Sequence, residues 1–127
     1  MRLVEEGNIR ERIMTDCLFC KMVSGEIAPD KVFETDEILA FRDINPQAPT
    51  HILVIPKKHI STTNDLTEED EALVGKMVMA AQKIALDEGI AESGYRMVLN
   101  CNQHGGQSVD HIHIHLLGGR QMMWPPG

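Results

Sequence analysis

The chain has 127 residues, enough to bury the core of one domain but not of two. Its 12 Lys and Arg stand against 19 Asp and Glu, with no basic cluster beyond Lys57-Lys58, which argues against nucleic acid and anionic membrane surfaces as partners but leaves room for a small phosphorylated ligand in a local pocket. No apolar stretch approaches the roughly 20 residues that span a bilayer, and the N-terminus lacks the apolar centre of a secretion signal, so the expected address is the cytoplasm.

Residues 1–14 are charged and poor in apolar anchors, and are expected to form a flexible N-terminal extension to a single domain over residues 15–127. Cys17-x-x-Cys20 opens the patterned sequence. In a reducing compartment three cysteines argue against a disulfide framework, so this pair reads as a metal or redox element. Leu18, Phe19, Met22 and Val23 fit a short amphipathic helix stopped near Gly25. Lys31 to Thr35 and Ile38 to Ile44 read as two strands joined by the Thr35-Asp36-Glu37 turn. Pro46 and Pro49 interrupt the pattern before a third strand, His51 to Ile55.

Thr67 is placed as an N-cap with Asp70 three residues on, and Glu68, Glu69 and Asp70 put negative charge in a helix's first turn. Leu73, Val74, Met77, Val78, Ala81, Ile84 and Ala85 follow at helical spacing until Gly89, with Met77 and Met79 read as core filler. Tyr95 to Asn102 and Val109 to Leu117 complete the strands. Four strands joined by short loops and one isolated long helix imply an α+β domain: a five-stranded antiparallel sheet with one long and one short helix.

The segment His111-Ile112-His113-Ile114-His115-Leu116 puts three of the six histidines on one face of an extended strand and apolar residues on the other. Ordinary exposed strand faces draw instead on Thr, Lys, Ser and Glu. Alternate residues lie roughly 6.5–7 Å apart, so the outer two imidazoles are about 13 Å apart at their backbones. One ion, at about 2 Å from each nitrogen, does not easily take all three. Two could share a metal, or an imidazole could serve as nucleophile or as acid and base, since at neutral pH one nitrogen can attack while the other is protonated. Just upstream, Asn102-Gln103-His104-Gly105-Gly106-Gln107-Ser108 offers backbone amides and neutral donors suited to a phosphate.

His111-Ile112-His113-Ile114-His115-Leu116-Leu117 matches the His-φ-His-φ-His-φ-φ signature of the histidine triad superfamily. Phe41-Arg42-Asp43-Ile44, Pro46 to His51, Ile55-Pro56-Lys57-Lys58-His59-Ile60, Gly105-Gly106-Gln107-Ser108 and Trp124-Pro125-Pro126-Gly127 resemble its nucleotide-binding Hint branch. The resemblance runs from Cys17 to Gly127. It implies a homodimeric purine nucleoside phosphoramidase without a catalytic cofactor, in which His113 attacks the α-phosphorus of a nucleoside phosphoramidate or acyl-adenylate to give a nucleotidylated histidine. His115 and Ser108 would assist the leaving group and the phosphate, with Asn100, Gly106 and Gln107 around it and His51 as a supporting neighbour. Asp43 would hold the ribose, and Phe19, Phe41, Ile44 and Leu53 the purine. Arg42 stands where the branch often has another polar residue. A carbonyl at His115 is the expected acceptor for the His113 Nδ1 proton. The Trp124 tail would reach the partner's site. Comparison with other triad proteins and the galactose-1-phosphate uridylyltransferases implies a structural zinc held by Cys17, Cys20, His59 and His111; two reduced thiols are the alternative. A diadenosine polyphosphate hydrolase and a non-catalytic nucleotide sensor remain open at this point.

Overall fold

The computed structural model describes residues 16–127, so the expected N-terminal extension lies outside the described residues. Helix α1 (Leu18–Ser24) starts on Cys17, whose sulfur accepts the Cys20 backbone N–H at 3.4 Å, and stops at Gly25, whose φ of 85° suits a residue without Cβ. The predicted hairpin follows as β1 (Lys31–Glu34) and β2 (Ile38–Arg42). Its turn is tied by the Thr35 hydroxyl, which accepts the backbone N–H of Glu37 at 3.2 Å and of Ile38 at 3.0 Å. After the Pro46–Pro49 loop, β3 (Thr50–Pro56) pairs antiparallel with β2, Phe41 opposite Leu53.

Two 3-10 turns, Thr63–Asp65 and Glu68–Asp70, lead into the long helix α2 (Glu71–Asp87). Thr67 caps the second turn rather than the α-helix itself. Its backbone N–H donates to Asp70 Oδ2 at 3.0 Å, while Lys58 Nζ lies 2.7 Å from Oδ1 of the same buried carboxylate. The Lys58 ammonium and the Thr67 backbone hold the Asp70 carboxyl below its ordinary pKa. The chain then crosses to the far edge as β4 (Tyr95–Leu99), makes one short turn of helix, α3 (Asn102–Gly105), and returns as β5 (Ile114–Gly118) between β3 and β4. The sheet order is β1-β2-β3-β5-β4, with every neighbouring pair antiparallel.

β1 and β2 stop one and two residues before their predicted ends, and β4 and β5 depart further from prediction. β4 ends at Leu99, because Asn102, at φ 59°, turns the chain into α3. β5 starts at Ile114 rather than Val109. Val54 pairs with Ile114, but two residues further along β3 stands Pro56, which has no N–H to offer a ladder; Ile112 N–H instead donates to Ile60 O at 2.8 Å. His111 and His113 therefore precede the strand and only His115 lies within it.

The alternation of faces survives this shift. Ile112, Ile114 and Leu116 join Ile52, Val54, Leu73, Met77, Ala81 and Ile84 in the core under α2. On the opposite face Phe19, Leu39, Phe41, Leu53 and Ile55 pack with Cys17 beneath α1. Residues of β3 are buried on both faces because each helix covers one. Met79 and Val78 do not fill the core as their spacing suggested: they are 62% and 42% exposed, the buried stripe running instead through Ala80 and Ala81. No helix among the described residues is long and apolar enough to cross a membrane.

Met77 is 1% exposed at the centre of the α2 layer. Met77→Ala is expected to lower unfolding free energy by about 2–5 kcal/mol, through lost burial and the void left behind, as read by denaturant titration with an unchanged m-value.

Candidate active site

The three histidines occupy three distinct environments. A neutral imidazole has one donor and one acceptor nitrogen, so a partner that can only accept or only donate fixes its tautomer. His113 Nδ1 lies 2.8 Å from the His111 carbonyl oxygen, which can only accept. Its proton is therefore on Nδ1, and Nε2 carries a free lone pair. The expected acceptor, the His115 carbonyl, is not the one used: His115 sits inside the ladder between Leu53 and Val98, whereas His111 precedes the first ladder residue and its carbonyl is open to the side chain.

His51 Nδ1 accepts the Gln47 backbone N–H at 3.0 Å, so the neutral ring carries its proton on Nε2. That nitrogen is 2.9 Å from His115 Nδ1 and 3.4 Å from Asp43 Oδ2. His115 Nδ1 thus accepts, which puts the His115 proton on Nε2. One ring offers a lone pair and its neighbour, with ring centroids 4.9 Å apart, offers a proton.

The third ring, His111, is fully buried and its Nε2 donates to the Pro56 carbonyl at 2.8 Å. Its Nδ1 is left bare, 3.4 Å from Cys17 Sγ, 3.6 Å from Cys20 Sγ and 3.2 Å from His59 Nδ1. Cys20 Sγ lies 3.2 Å from His59 Nδ1, and all four atoms are within 4.8 Å of one another. A tetrahedral zinc with bonds of about 2.3 Å to sulfur and 2.0–2.1 Å to nitrogen sets its ligand atoms about 3.3–3.8 Å apart, so the donor set and its spacing fit such an ion. His59 Nε2 is 3.3 Å from the Ser61 hydroxyl, so each histidine has an outer partner at its other nitrogen. Burial and the adjacent Cys17 sulfur push the Cys20 thiol up to about 12, so a cation entering the site displaces a proton.

A cleft of about 360 Å³ opens between α1, the Ile27–Asp30 segment and the histidine face. His113, His115 and Ser108 line one side, Asp43 another, and Phe19, Phe41, Ile44 and Leu53 the apolar remainder. Phe19 packs edge-on to His113 with ring centroids 5.2 Å apart. Asp43 Oδ1 accepts the Asn45 backbone N–H at 2.8 Å, which aims the carboxylate. The Pro46–Pro49 turn, which precedes β3, thus brings Asp43, His51 and His115 together. Asn100, Gly106, Gln107 and Trp124 are not among the cleft's lining residues.

The Gln107 side chain is committed to the backbone: Nε2 donates to Ser61 O at 2.6 Å and Val109 O at 2.9 Å, and Oε1 accepts Asn102 N–H at 2.9 Å. It braces the loop that carries Ser108. Trp124 is 82% exposed on a tail whose Met123 carbonyl accepts from Arg96 at 2.9 Å. Arg42 makes a two-pronged ion pair with Glu88, at 2.7 and 3.1 Å. A larger groove of about 510 Å³, beside α2 and lined by Phe33, Lys76, Met79 and Lys83, contains no histidine or cysteine.

Sequence reasoning missed the groups that set the tautomers. The acceptors are carbonyls of His111 and Pro56 and the donor is the Gln47 amide; backbone atoms carry no residue-type signal. It also missed Met22, Ile27 and Val109 in the cleft wall, whose apolar character is indistinguishable from core.

The model of the HIT domain matches residues 24–122. The chain belongs to the HIT domain family. It is 54% identical over 107 residues to the purine nucleoside phosphoramidase of Escherichia coli K12, an alignment covering 84% of this chain and 90% of that protein. A HIT family hydrolase of Legionella pneumophila superposes with a TM-score of 0.87 at 60% identity, over 88% of this chain and 100% of the other. A histidine triad protein of Clostridium difficile does so at 0.82 and 44% identity, over 85% and 94%.

Burial, aided by the charges His113 and His51 would carry, pushes His115 down to about 4, and burial lowers His51 and His113 as well. His115 is thus neutral through the physiological range. The unfolded chain takes up this proton near the ordinary value of 6.5 and the folded chain only near 4, so His115 makes stability fall as pH drops across that window. An NMR titration of the ring should show no His115 protonation at pH 6; a midpoint near 6.5 would contradict the geometry.

Proposed function

We propose that this protein is a cytoplasmic hydrolase of purine nucleoside 5'-phosphoramidates and acyl-adenylates, acting through a nucleotidylated His113. The observation that carries the reading is the pairing of a bare His113 Nε2 with a protonated His115 Nε2 at one cleft. The name of the 54% identical Escherichia coli protein supports the purine and the phosphoramidate bond. The three free thiols suit a reducing compartment.

In the proposed reaction the purine lies between Phe19, Phe41, Ile44 and Leu53, and Asp43 accepts from the ribose hydroxyls. His113 Nε2 attacks the α-phosphorus and the bond to the leaving nitrogen breaks. His115 Nε2–H hydrogen-bonds the leaving nitrogen, which takes its proton from a water molecule, and the Ser108 hydroxyl donates to a phosphoryl oxygen. The hydroxide left by that water then attacks the phosphorus of the phosphohistidine bond, releasing the nucleoside monophosphate and restoring His113. Gln107 contributes by holding the Ser108 loop, with Asn100 and Gly106 beside the phosphate end of the site, and His51 by fixing the His115 ring. No catalytic cofactor enters these steps.

Cys17, Cys20, His59 and His111 would hold a zinc ion. With four protein ligands it would be structural, tying α1 to the segment ahead of β5. We also propose that residues 15–127 form one domain that assembles as a homodimer. The outer edge of β4, unpaired among the described residues, and the exposed Trp124, on a tail that would approach the partner's cleft, support this assembly.

Incubation of the full chain with adenosine 5'-phosphoramidate is expected to give turnover and an adenylyl adduct in the intact mass. His113→Ala should give neither, its turnover falling by roughly 10³-fold or more, as loss of a covalent nucleophile does. Preferential turnover of a diadenosine polyphosphate, or neither turnover nor adduct in the wild type, would overturn the reading. Native mass spectrometry of protein purified without added zinc should show two chains and one zinc per chain, with Cys17→Ser losing the metal. Equal, negligible zinc in both proteins would remove the metal proposal, and a single chain the dimer.

A further inference from the structure

Holding an ion is not the only chemistry open to Cys17-x-x-Cys20. Cys17 is the extended N-cap of α1, and its sulfur folds back over the first turn to accept the Cys20 N–H at 3.4 Å. Both sulfurs face His111 Nδ1, at 3.4 and 3.6 Å, and lie within 4.8 Å of each other as free thiols. Rotation of the two side chains brings sulfur to sulfur. Cys20 is half-buried and open to a small oxidant, whereas Cys17 is 8% exposed.

Three routes join this cluster to the cleft. Helix α1 carries Leu18, Phe19 and Met22 into the cleft wall, and the Phe19 ring meets His111 at 5.8 Å, His113 at 5.2 Å and Phe41 at 5.5 Å, centroid to centroid. The His111 carbonyl accepts from His113 Nδ1. The Ser61 hydroxyl lies 3.3 Å from His59 Nε2, and the Ser61 carbonyl accepts from Gln107 Nε2, which braces the loop of Ser108. Whatever draws the two sulfurs and two imidazoles together therefore also steadies the purine wall, the attacking ring and the phosphate end of the cleft.

We propose that Cys17 and Cys20 are a peroxide-sensitive thiol pair whose oxidation to a disulfide releases the metal and weakens nucleotide binding in the cleft. The inference rests on the zinc and nucleotide readings given above. One thiolate attacks a peroxide oxygen; the O–O bond breaks, leaving a sulfenic acid and a hydroxide ion. The second thiolate attacks the sulfenic sulfur, the S–O bond breaks and a second hydroxide departs. Two electrons pass from sulfur to oxygen, two protons from solvent turn the hydroxides into water, and the zinc leaves as a divalent cation. The disulfide has no thiolate to offer, so two imidazoles remain where the ion had four ligands. The new bond also joins two residues of α1 to each other instead of to His59 and His111, and the helix is no longer fastened to the segment ahead of β5.

The test uses the full chain carrying Cys101→Ser, in which Cys17 and Cys20 are the only cysteines left. Hydrogen peroxide is expected to remove two hydrogens from the intact mass and to release zinc to a coloured chelator in step with that loss. AMP binding, read by calorimetry, should weaken by roughly 5-fold or more. Dithiothreitol with added zinc should restore it, which separates the disulfide from methionine sulfoxide, a product that this thiol reagent leaves in place. Gain of oxygen without loss of two hydrogens, an unchanged AMP affinity after the disulfide has formed, or a weakened affinity that dithiothreitol and zinc do not restore would each overturn the inference. If the reduced protein holds no zinc, the metal reading fails, and the disulfide with its effect on AMP affinity decides whether the thiol pair controls the cleft. If the reduced protein binds no AMP, the nucleotide reading fails, and the 15N shifts of the His113 ring decide instead: movement on oxidation supports control of the cleft by the pair, and unmoved signals refute it.

Discussion

The hydrogen bond from His113 Nδ1 to the carbonyl of His111 is the constraint on which the site depends. It exists because the chain leaves the sheet just ahead of Ile114, so a carbonyl that a longer strand would have engaged in its ladder is open to a side chain two residues on. The departure follows from Pro56, which has no amide hydrogen with which to extend the pairing of β3 and β5. The Pro56 carbonyl then accepts from His111 Nε2 and turns the other nitrogen of that ring toward the cysteines. One proline at a strand end thus governs two imidazoles with different duties.

Burial does for the remaining rings what hydrogen bonding alone would not. His113 is 3% exposed and His51 5%, and desolvation holds both below the ordinary histidine range. In the proposed reaction the attacking ring must be neutral. The protein keeps its imidazoles neutral by excluding water and then uses partners of fixed donor or acceptor character to decide which nitrogen holds each proton. Asp43 stands beside this row, its Oδ2 3.4 Å from His51 Nε2 and its Oδ1 accepting the Asn45 amide.

Much of this was legible in the residues. Gly25 ended α1 where a left-handed residue was needed, Thr67 and Asp70 marked the approach to α2, and the alternation of Ile112, Ile114 and Leu116 with the three histidines assigned each to its face. The boundaries of β4 and β5 were not legible, since each depends on what the neighbouring strand offers rather than on its own composition. Met79 and Val78 went astray for a related reason: helical spacing defines a stripe, but the sheet decides which edge of the stripe it covers. Gln107 read as a phosphate donor because its type suits one, while its three backbone partners come from segments distant in sequence or across a turn.

The strand order β1-β2-β3-β5-β4 places the last strand of the chain at an interior position of the sheet. During synthesis β3 and β4 are both available before β5, but neither can pair with the other across the gap it will fill. Until residues 114–118 have left the ribosome, the apolar face under α2 lacks Ile114 and Leu116, and two strand edges stand open to wrong partners. The histidines arrive on the same segment that closes the sheet. A chain truncated before that point is therefore not a weakened protein with a defective cleft but an unfinished sheet, and reactive imidazoles are assembled only in molecules whose fold is complete.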